Sequence, residues 1–104
     1  MQRRRYEILL PLKFNDGRTI PEEAYYETRD ELVARFGAVS WVPDPLKGIW
    51  LHEGVKYEDS TIRIIVDVEE LAESRTFFAE WKPILMERFE QLEIYIISYP
   101  IERV

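Results

Sequence analysis

The chain has 104 residues, of which 46% are apolar and 33% are charged, and its formal net charge is −6 at pH 7. This length suits one domain with a buried core, and the acidic balance argues against binding to the phosphates of nucleic acids. Because cysteine is absent, disulfides, thiolate metal sites, iron–sulfur clusters and thiol catalysis are excluded.

The pattern of residues in the first third of the chain predicts a strand followed by a helix. Residues 6–14 alternate in polarity at period two, which predicts a strand. Apolar side chains recur at helical spacing over residues 21–36 and predict a helix. Thr19 and Glu22 have the spacing of a capping box at its start, and Gly37 is placed to cap its end.

The middle of the chain predicts two strands with a hairpin between them. Residues 38–42 form a short predicted strand, and the proline-containing segment 43–48 is predicted to be a loop. Gly54 can adopt the positive φ that a turn needs, so we predict an extra β-hairpin around it. Residues 60–68 are rich in β-branched side chains and form the strongest predicted strand.

The last third predicts a second helix and a final strand. Apolar residues at spacings of three and four indicate a helix over about 70–90. Pro83 should kink this helix or split it, and charged residues such as Arg88 are predicted to face solvent. Residues 92–98 form the last predicted strand, which ends before Pro100.

The order of these elements is strand, helix, strand, strand, helix, strand. It resembles the ferredoxin-like arrangement, an α+β fold in which two helices cover one face of a four-stranded antiparallel sheet. We therefore predict one such domain over residues 1–104, with the extra hairpin attached.

Short motifs add a second resemblance. The sequence has an "FNDG" turn at residues 14–17, a "GxW…GxxYED" hairpin at 48–59, and a helix end with Arg88, Phe89 and Gln91. In these motifs the chain is similar to small uncharacterised bacterial proteins. The resemblance implies a ferredoxin-like fold and no particular activity.

One face of the predicted sheet lacks a cover. Period-two alternation places Leu9, Ile65, Tyr95 and Ile97 on the face opposite the helices. Monomers seldom expose a contiguous apolar patch of this kind. We expect a homodimer that buries these four residues, and the alternatives are that the extra hairpin folds over them or that a ligand covers them.

The segment around the single histidine has two interpretations. His52, Tyr57 and Asp59 could form a proton-transfer set near Trp50, with His52 as the base. Alternatively, Trp50 and Tyr57 form a cross-strand aromatic pair on a surface hairpin, and His52 is simply solvated. We favour the surface hairpin. One histidine without cysteine also makes a metal site improbable.

Two charged residues in the strongest strand need partners. Arg63 and Asp67 are predicted to lie on the face away from the helices, where a covered charge must be paired. We expect structural or interface pairing. The alternative is that Arg63, with Trp50, binds an anionic ligand.

Taken together, the residues predict a non-enzymatic, homo-oligomeric domain that acts through protein contacts. We expect a homodimer with a possible protein partner, without nucleic acid, membrane or cofactor. No apolar run approaches the length of a membrane span, and the run after Arg5 is too short for a secretory signal, so we expect a cytoplasmic protein. The alternative is a small enzyme or ligand-binding protein of dimeric α+β barrel type, with a pocket between sheet and hairpin.

Overall fold

The computed structural model describes residues 2–104. Its four strands form one antiparallel sheet in the order β2-β3-β1-β4. This is the ferredoxin-like α+β arrangement that the order of the elements predicts. The elements are β1 (Arg3–Pro11), α1 (Glu22–Phe36), β2 (Ser40–His52), β3 (Val55–Glu69), α2 (Ala72–Arg88) and β4 (Tyr95–Ile101).

The core lies between the two helices and one face of the sheet. Every second side chain is buried over residues 6–10 of β1 and 64–68 of β3, as period-two alternation predicts. The helices meet this face with large apolar side chains, and the ring of Phe78 stacks on that of Tyr6 with centroids 3.7 Å apart. Neither helix found in residues 2–104 is long and apolar enough to cross a membrane. The buried apolar core consists of Tyr6, Ile8, Leu10, Ile20, Leu32, Ile64, Val66, Val68, Phe78, Trp81, Leu85, Phe89 and Ile94.

A polar network joins the two helices at the edge of this core. Arg88 donates two hydrogen bonds to the carboxylate of Glu31, both of 2.8 Å, and one of 2.9 Å to the hydroxyl of Thr28. The indole Nε1 of Trp81 donates to the same carboxylate at 2.9 Å. The prediction that Arg88 faces solvent is wrong, because its side chain is only 11% exposed. Helical spacing does not reveal that the neighbouring helix supplies a carboxylate there.

The ends of α1 confirm one predicted cap and correct the other. Gly37 has a φ of 85° and its N–H donates to the carbonyl of Val33 at 2.8 Å, so it ends the helix as predicted. The predicted capping box is wrong, because Pro21 precedes the first helical residue and no side chain caps the helix. Thr19 instead forms a β-bridge with Lys13, which keeps its backbone extended.

The predicted loop at 43–48 is part of a long strand. β2 continues through this segment with a bulge between Val42 and Leu46, and Pro43 and Pro45 lie inside the bulge. β2 is an outer strand of the sheet, so a proline that cannot donate a hydrogen bond is tolerated there. The sequence does not reveal that β2 is an outer strand. Without that information, Pro43 and Pro45 predict a loop.

The extra hairpin is an extension of β2 and β3. β1 ends at Pro11, opposite Thr61, so the rest of the hairpin has no third strand beside it. We call residues 46–60 the arm. Glu53 and Gly54 form its turn, with φ angles of 51° and 77°. At about 3.3 Å per residue, the arm reaches roughly 20 Å beyond Thr61.

The boundaries of the last two elements also differ from the prediction. α2 runs unbroken from Ala72 to Arg88, so Pro83 does not split it. β4 begins at Tyr95 and includes Pro100, which was predicted to follow the strand. β4 is the second outer strand and pairs only with β1. No strand lies beyond β4 to accept a hydrogen bond from residue 100, so a proline is tolerated there.

We expect Pro83→Ala to be neutral or to stabilise the chain by up to about 2 kcal/mol. Pro83 lies at an exposed position inside α2, and it supplies no N–H to the helix. Alanine restores that donor and has a higher helix propensity, although the more flexible unfolded chain offsets part of the gain. Urea denaturation measures the change. A loss of more than about 1 kcal/mol would show that the proline is required for packing.

Candidate functional site

The sheet face opposite the helices carries a mixture of apolar and charged side chains. We call it the open face. The strand register places Ile65 and Ile97 on either side of Glu7, and Arg63 and Tyr95 on either side of Leu9. All four predicted interface residues therefore lie together on this face. Its members are Arg5, Glu7, Leu9, Val42, Arg63, Ile65, Asp67, Tyr95, Ile97 and Tyr99.

The apolar part of the open face is incompletely covered in the single chain. Leu9 and Ile65 are half-buried by their neighbours, Ile97 is exposed, and Tyr95 is 58% exposed. These side chains come from three adjacent strands and form a patch around Glu7, which lies between Ile65 and Ile97. A patch of this kind is typical of a contact surface for another molecule.

The charges of the open face are paired within the chain. Arg5 donates two hydrogen bonds to Asp67, of 2.7 and 3.0 Å. Glu7 accepts a hydrogen bond from the Tyr99 hydroxyl, and its second carboxylate oxygen lies 3.6 Å from Nη1 of Arg63. Both Arg63 and Asp67 thus have partners on the neighbouring β1, which the sequence does not identify.

These contacts shift two pKa values in opposite directions. The hydrogen bonds from Arg5 lower the pKa of Asp67, so this carboxylate stays ionised well into acid. The hydrogen bond to the Glu7 carboxylate raises the pKa of Tyr99, because ionising the hydroxyl would remove the donated proton. Both shifts keep the pairs in the protonation states that their hydrogen bonds require.

Arg63 retains one unused donor. Its Nε is buried and has no hydrogen-bond partner among residues 2–104. The guanidinium has five N–H donors, and its contact with Glu7 is long. Because Nε is buried, an anionic or carbonyl partner from outside would bind the other donors of this side chain, which is 42% exposed.

The arm continues the open face. Cross-strand pairing places Tyr57 opposite Trp50 and Thr61 opposite Leu46, on the same side of the ribbon as the open face. We call this the inner side of the arm, formed by Leu46, Gly48, Trp50, His52, Val55, Tyr57 and Asp59. The rings of Trp50 and Tyr57 stack with centroids 4.5 Å apart and an interplanar angle of 17°, the aromatic pair expected from the sequence.

The possible proton-transfer residues lie in three different rows of the arm. His52 is opposite Val55, and Asp59 is opposite Gly48, with the aromatic pair between these rows. At about 3.3 Å per residue, His52 and Asp59 are roughly 13 Å apart along the ribbon. His52 is 62% exposed, and its Nε2 lies 3.8 Å from a carboxylate oxygen of Glu53. A proton-transfer role for His52, Tyr57 and Asp59 stays a prediction, and it would need groups from another molecule.

A close contact at the base of the arm is not evident from the sequence. The Asp59 carboxylate lies over Gly48, where an added Cβ would be 2.8 Å from Oδ1. Glycine at this position therefore leaves room for the carboxylate. Gly48 and Asp59 meet only because of the register between β2 and β3. The sequence predicts a loop at residues 43–48, and a loop has no strand register from which this contact could be predicted.

We expect Trp50→Leu to loosen the arm without unfolding the domain. Loss of the stacked pair removes about 0.5–1.5 kcal/mol of local stability. Hydrogen exchange of the backbone amides in residues 49–58 should accelerate about 2- to 10-fold, while amides of β1 keep their protection. Leu51→Ala, a change outside the aromatic pair, is the control and should have a smaller effect. Unchanged exchange in the arm would contradict this prediction.

An open cleft of about 480 Å³ lies at the end of the sheet away from the arm. Arg3 and Arg5 of β1 contribute to it. Within residues 2–104 there is no group of three or more His, Cys, Asp or Glu side chains that could hold a metal ion. The cleft is lined by Arg3, Arg5, Asp67, Ile101, Glu102 and Arg103.

The strand order and the helix-covered sheet define a ferredoxin-like α+β domain, and comparison with solved structures agrees. The chain is similar to the divalent cation tolerance protein CutA1 of Thermus thermophilus, with a TM-score of 0.66 and 19% identity over 98% of this chain and 86% of that one. For CutA1 of Oryza sativa the TM-score is 0.67 and the identity 17%, over 100% of this chain and 84% of that one.

A third similar structure has a different name. It is a phage SAM lyase in complex with S-methyl-5′-thioadenosine, with a TM-score of 0.66 and 18% identity over 97% of this chain and 90% of that one. No protein-family model and no curated protein sequence matches this chain. At these identities the likeness establishes the fold and leaves the activity to be argued from the chain itself.

Proposed function

We propose that the chain is a non-enzymatic domain that assembles with copies of itself through the open face and acts through protein contacts. One observation carries the proposal: Leu9, Ile65, Tyr95 and Ile97 lie on one face of the sheet, around Glu7, and their own chain leaves them partly exposed. A two-fold homodimer is the simplest assembly that buries the same patch on both chains.

The arm of the same chain does not cover this patch. β2 and β3 continue into the arm in unbroken pairing on both sides of the bulge, so the arm projects from the sheet instead of folding over it. A cover for this patch would therefore come from another molecule. Of the three covers considered, a second subunit remains as the leading one.

The charges of the open face also suit burial in an interface. Arg5 is neutralised by Asp67, and Glu7 has partners in Tyr99 and Arg63. An interface can cover these pairs without leaving an isolated charge, which is the main penalty for burying ionised side chains. Each Å² of apolar surface removed from water contributes about 25 cal/mol, before the entropic cost of association is subtracted.

The molar mass of the wild-type chain in solution tests the proposal. Light scattering coupled to size exclusion should give at least twice the 12.5 kDa of one chain at micromolar concentration. Dilution should reveal a concentration-dependent equilibrium. A mass of one chain across the micromolar range would refute assembly through the open face.

Ligand binding is the second candidate function. Two observations favour it: Arg63 retains an unused donor, and a structure of this fold, the phage SAM lyase, is in complex with S-methyl-5′-thioadenosine. Arg63 would contact the ligand, and because Trp50 lies roughly 20 Å away along the ribbon, it would reach the same ligand only from another copy. Titration with S-methyl-5′-thioadenosine, followed by tryptophan fluorescence and calorimetry, tests this candidate. Saturable binding that Arg63→Gln weakens would support it, and no heat or fluorescence change at millimolar ligand would count against it.

Three further expectations stay predictions. They are a cytoplasmic location, the absence of contacts with nucleic acid or membranes, and a possible protein partner. Affinity capture with the wild-type chain, compared with a variant that cannot assemble, would show whether a partner recognises the assembly or the single chain.

A further inference from the structure

A second cleft, of about 350 Å³, lies where α1 ends and α2 begins. Arg35 and Phe36, the last two residues of α1, form one part of its lining, and Glu73 and Ser74 in the first turn of α2 form another. Arg3 of β1 also lines it and separates it from the 480 Å³ cleft, which shares that residue. The volume is within the range of pockets that hold small molecules.

Ser74 offers this cleft a hydroxyl that its own chain does not use. The residue is 6% exposed and lines the cleft, yet its hydroxyl forms no hydrogen bond within residues 2–104. The backbone N–H groups of Ala72 and Glu73 beside it also lack partners in that part of the chain, since no side chain caps α2. Buried polar groups are normally hydrogen-bonded, and unpaired donors at the start of a helix favour a carboxylate or another oxyanion.

Two arginines of the cleft have no carboxylate partner in the part of the chain that the structure describes. Arg3 donates one hydrogen bond, of 3.2 Å, to the backbone carbonyl of Asp67. The guanidinium of Arg35 lies 5.9 Å from the ring centre of Phe36 and 5.8 Å from that of Phe77, and these rings position it without neutralising its charge. Because a guanidinium has five N–H donors, both arginines can still bind a carboxylate.

The same cleft carries unpaired negative charge. Glu69 and Glu73 line it and are exposed, and neither pairs with a cation within residues 2–104. Since Arg5 neutralises Asp67, these two glutamates balance the charge of the two arginines. An anion such as phosphate would be attracted by the arginines and repelled by the glutamates. A molecule that carries both a carboxylate and an ammonium group can pair with both.

We propose that this cleft binds a free α-amino acid with an apolar side chain. The carboxylate of the ligand accepts hydrogen bonds from Ser74 and Arg35, and its ammonium group pairs with Glu73. Its side chain packs on Phe36 and Leu71, which also line the cleft.

This binding does not depend on the proposed self-assembly. Within residues 2–104, Asp67 is the only residue of the cleft lining that also belongs to the open face. The arm is at the opposite end of β3 from the cleft. Failure of either proposal therefore leaves the other standing, and the wild-type chain is tested in the oligomeric state that it has.

Titration with L-leucine tests the proposal. Calorimetry should show saturable binding with a dissociation constant of about 1 mM or tighter, and amide resonances of residues 71–74 should shift while those of the arm do not. Acetate, methylammonium and inorganic phosphate each supply charge of one sign and should bind about tenfold more weakly or worse. L-Glutamate and L-lysine should also bind more weakly, because their charged side chains would contact the apolar wall. No saturation by leucine up to about 20 mM, or tighter binding of phosphate than of leucine, would overturn the proposal.

Matched substitutions locate the site. Ser74→Ala and Arg35→Gln should each weaken leucine binding about 10-fold or more, because each removes a hydrogen bond to a charged group. Arg29→Gln is the control: it removes a guanidinium from the same helix that also lies over aromatic rings, those of Tyr26 and Trp41, but outside the cleft. The control should change the affinity less than about twofold. Circular dichroism checks that each variant is folded, and wild-type affinity in folded Ser74→Ala and Arg35→Gln would show that leucine binds elsewhere.

Glu73→Gln separates the two charges of the ligand. It should weaken leucine binding about fivefold or more and leave acetate binding unchanged or slightly tighter, because only leucine carries an ammonium group. Glu80→Gln, an exposed position of α2 outside the cleft, should leave both affinities unchanged. Equal losses for leucine and acetate in Glu73→Gln would show that this carboxylate does not hold the ammonium group, which contradicts the proposed recognition of an amino acid.

Discussion

Ile65→Lys is expected to convert the assembly to folded monomers. Ile65 lies in the middle of the open face, between Ser40 of β2 and Glu7 of β1. A lysine there places an unpaired ammonium in the proposed contact, which weakens association by about 100-fold or more. The substitution points away from the helix-covered core, so the far-ultraviolet circular dichroism spectrum should not change. Size exclusion with light scattering measures the mass.

The matched control for this prediction is Ile84→Lys. Ile84 is an exposed apolar residue of α2, on the opposite layer of the domain, so the same change in charge and shape occurs outside the open face. The control should keep the wild-type mass. The thermal midpoint of Ile65→Lys should fall only by the amount linked to dissociation. Equal masses for both variants would show that the open face is not the contact.

Arg88→Met is expected to destabilise the chain by about 2–3 kcal/mol. Arg88 is 11% exposed and joins α2 to Glu31 and Thr28 of α1 by three hydrogen bonds. Removing it leaves the Glu31 carboxylate with the single hydrogen bond from Trp81. Full burial of an unpaired charge costs about 3–5 kcal/mol, and the partial exposure of Glu31 reduces that cost. Urea denaturation at pH 7 measures the difference.

Low pH should diminish this effect. Burial raises the pKa of Glu31, but the hydrogen bonds from Arg88 and Trp81 outweigh it, so the pKa is lowered overall. When folding lowers the pKa of a glutamate, its ionised form stabilises the folded chain. This stabilisation is complete above the pKa of the unfolded chain, about 4.3, and is lost as the pH falls through the pKa of the folded chain. The difference between wild type and Arg88→Met should therefore be largest at neutral pH and shrink below about pH 4.

Arg75→Met provides the comparison. Arg75 lies on the same helix and pairs with Glu70 at 2.8 Å, but this ion pair is exposed at its arginine. Exposed pairs contribute about 0–1 kcal/mol, so the control should lose much less stability than Arg88→Met. If the two variants lose equal stability, the network between the helices contributes no more than a surface ion pair.

The layered fold could be predicted because burial dictates the local pattern. Ile64, Val66 and Val68 alternate with polar or half-buried neighbours, and this period is visible without a structure. Gly37 likewise marks the end of α1 through its own backbone preference. The arm could not be predicted in the same way. The bulge that precedes it contains Pro43 and Pro45, and prolines are compatible with a strand there only because β2 is an outer strand, which is a property of the assembled sheet.

Alternation along the strands predicts which residues lie on the open face, but it does not predict how the charged ones pair. Counting residues along each strand is enough to assign Ile65 and Ile97 to this face. The partner of Asp67, by contrast, is Arg5, 62 residues away in the chain, and only the register of β1 against β3 brings them together. The position of His52 relative to Asp59 also depends on register, because Gly54 fixes the turn and thereby the distance between their rows.

The prolines of the two outer strands affect how the protein behaves when it is concentrated. An unprotected sheet edge offers a row of hydrogen-bonding groups to which further chains can add, and this is a common beginning of fibril growth. Here Pro43 and Pro45 interrupt the edge at β2, and Pro100 interrupts the edge at β4. An incoming strand would meet missing donors on either side, so concentrated solutions should resist the formation of β-rich aggregates.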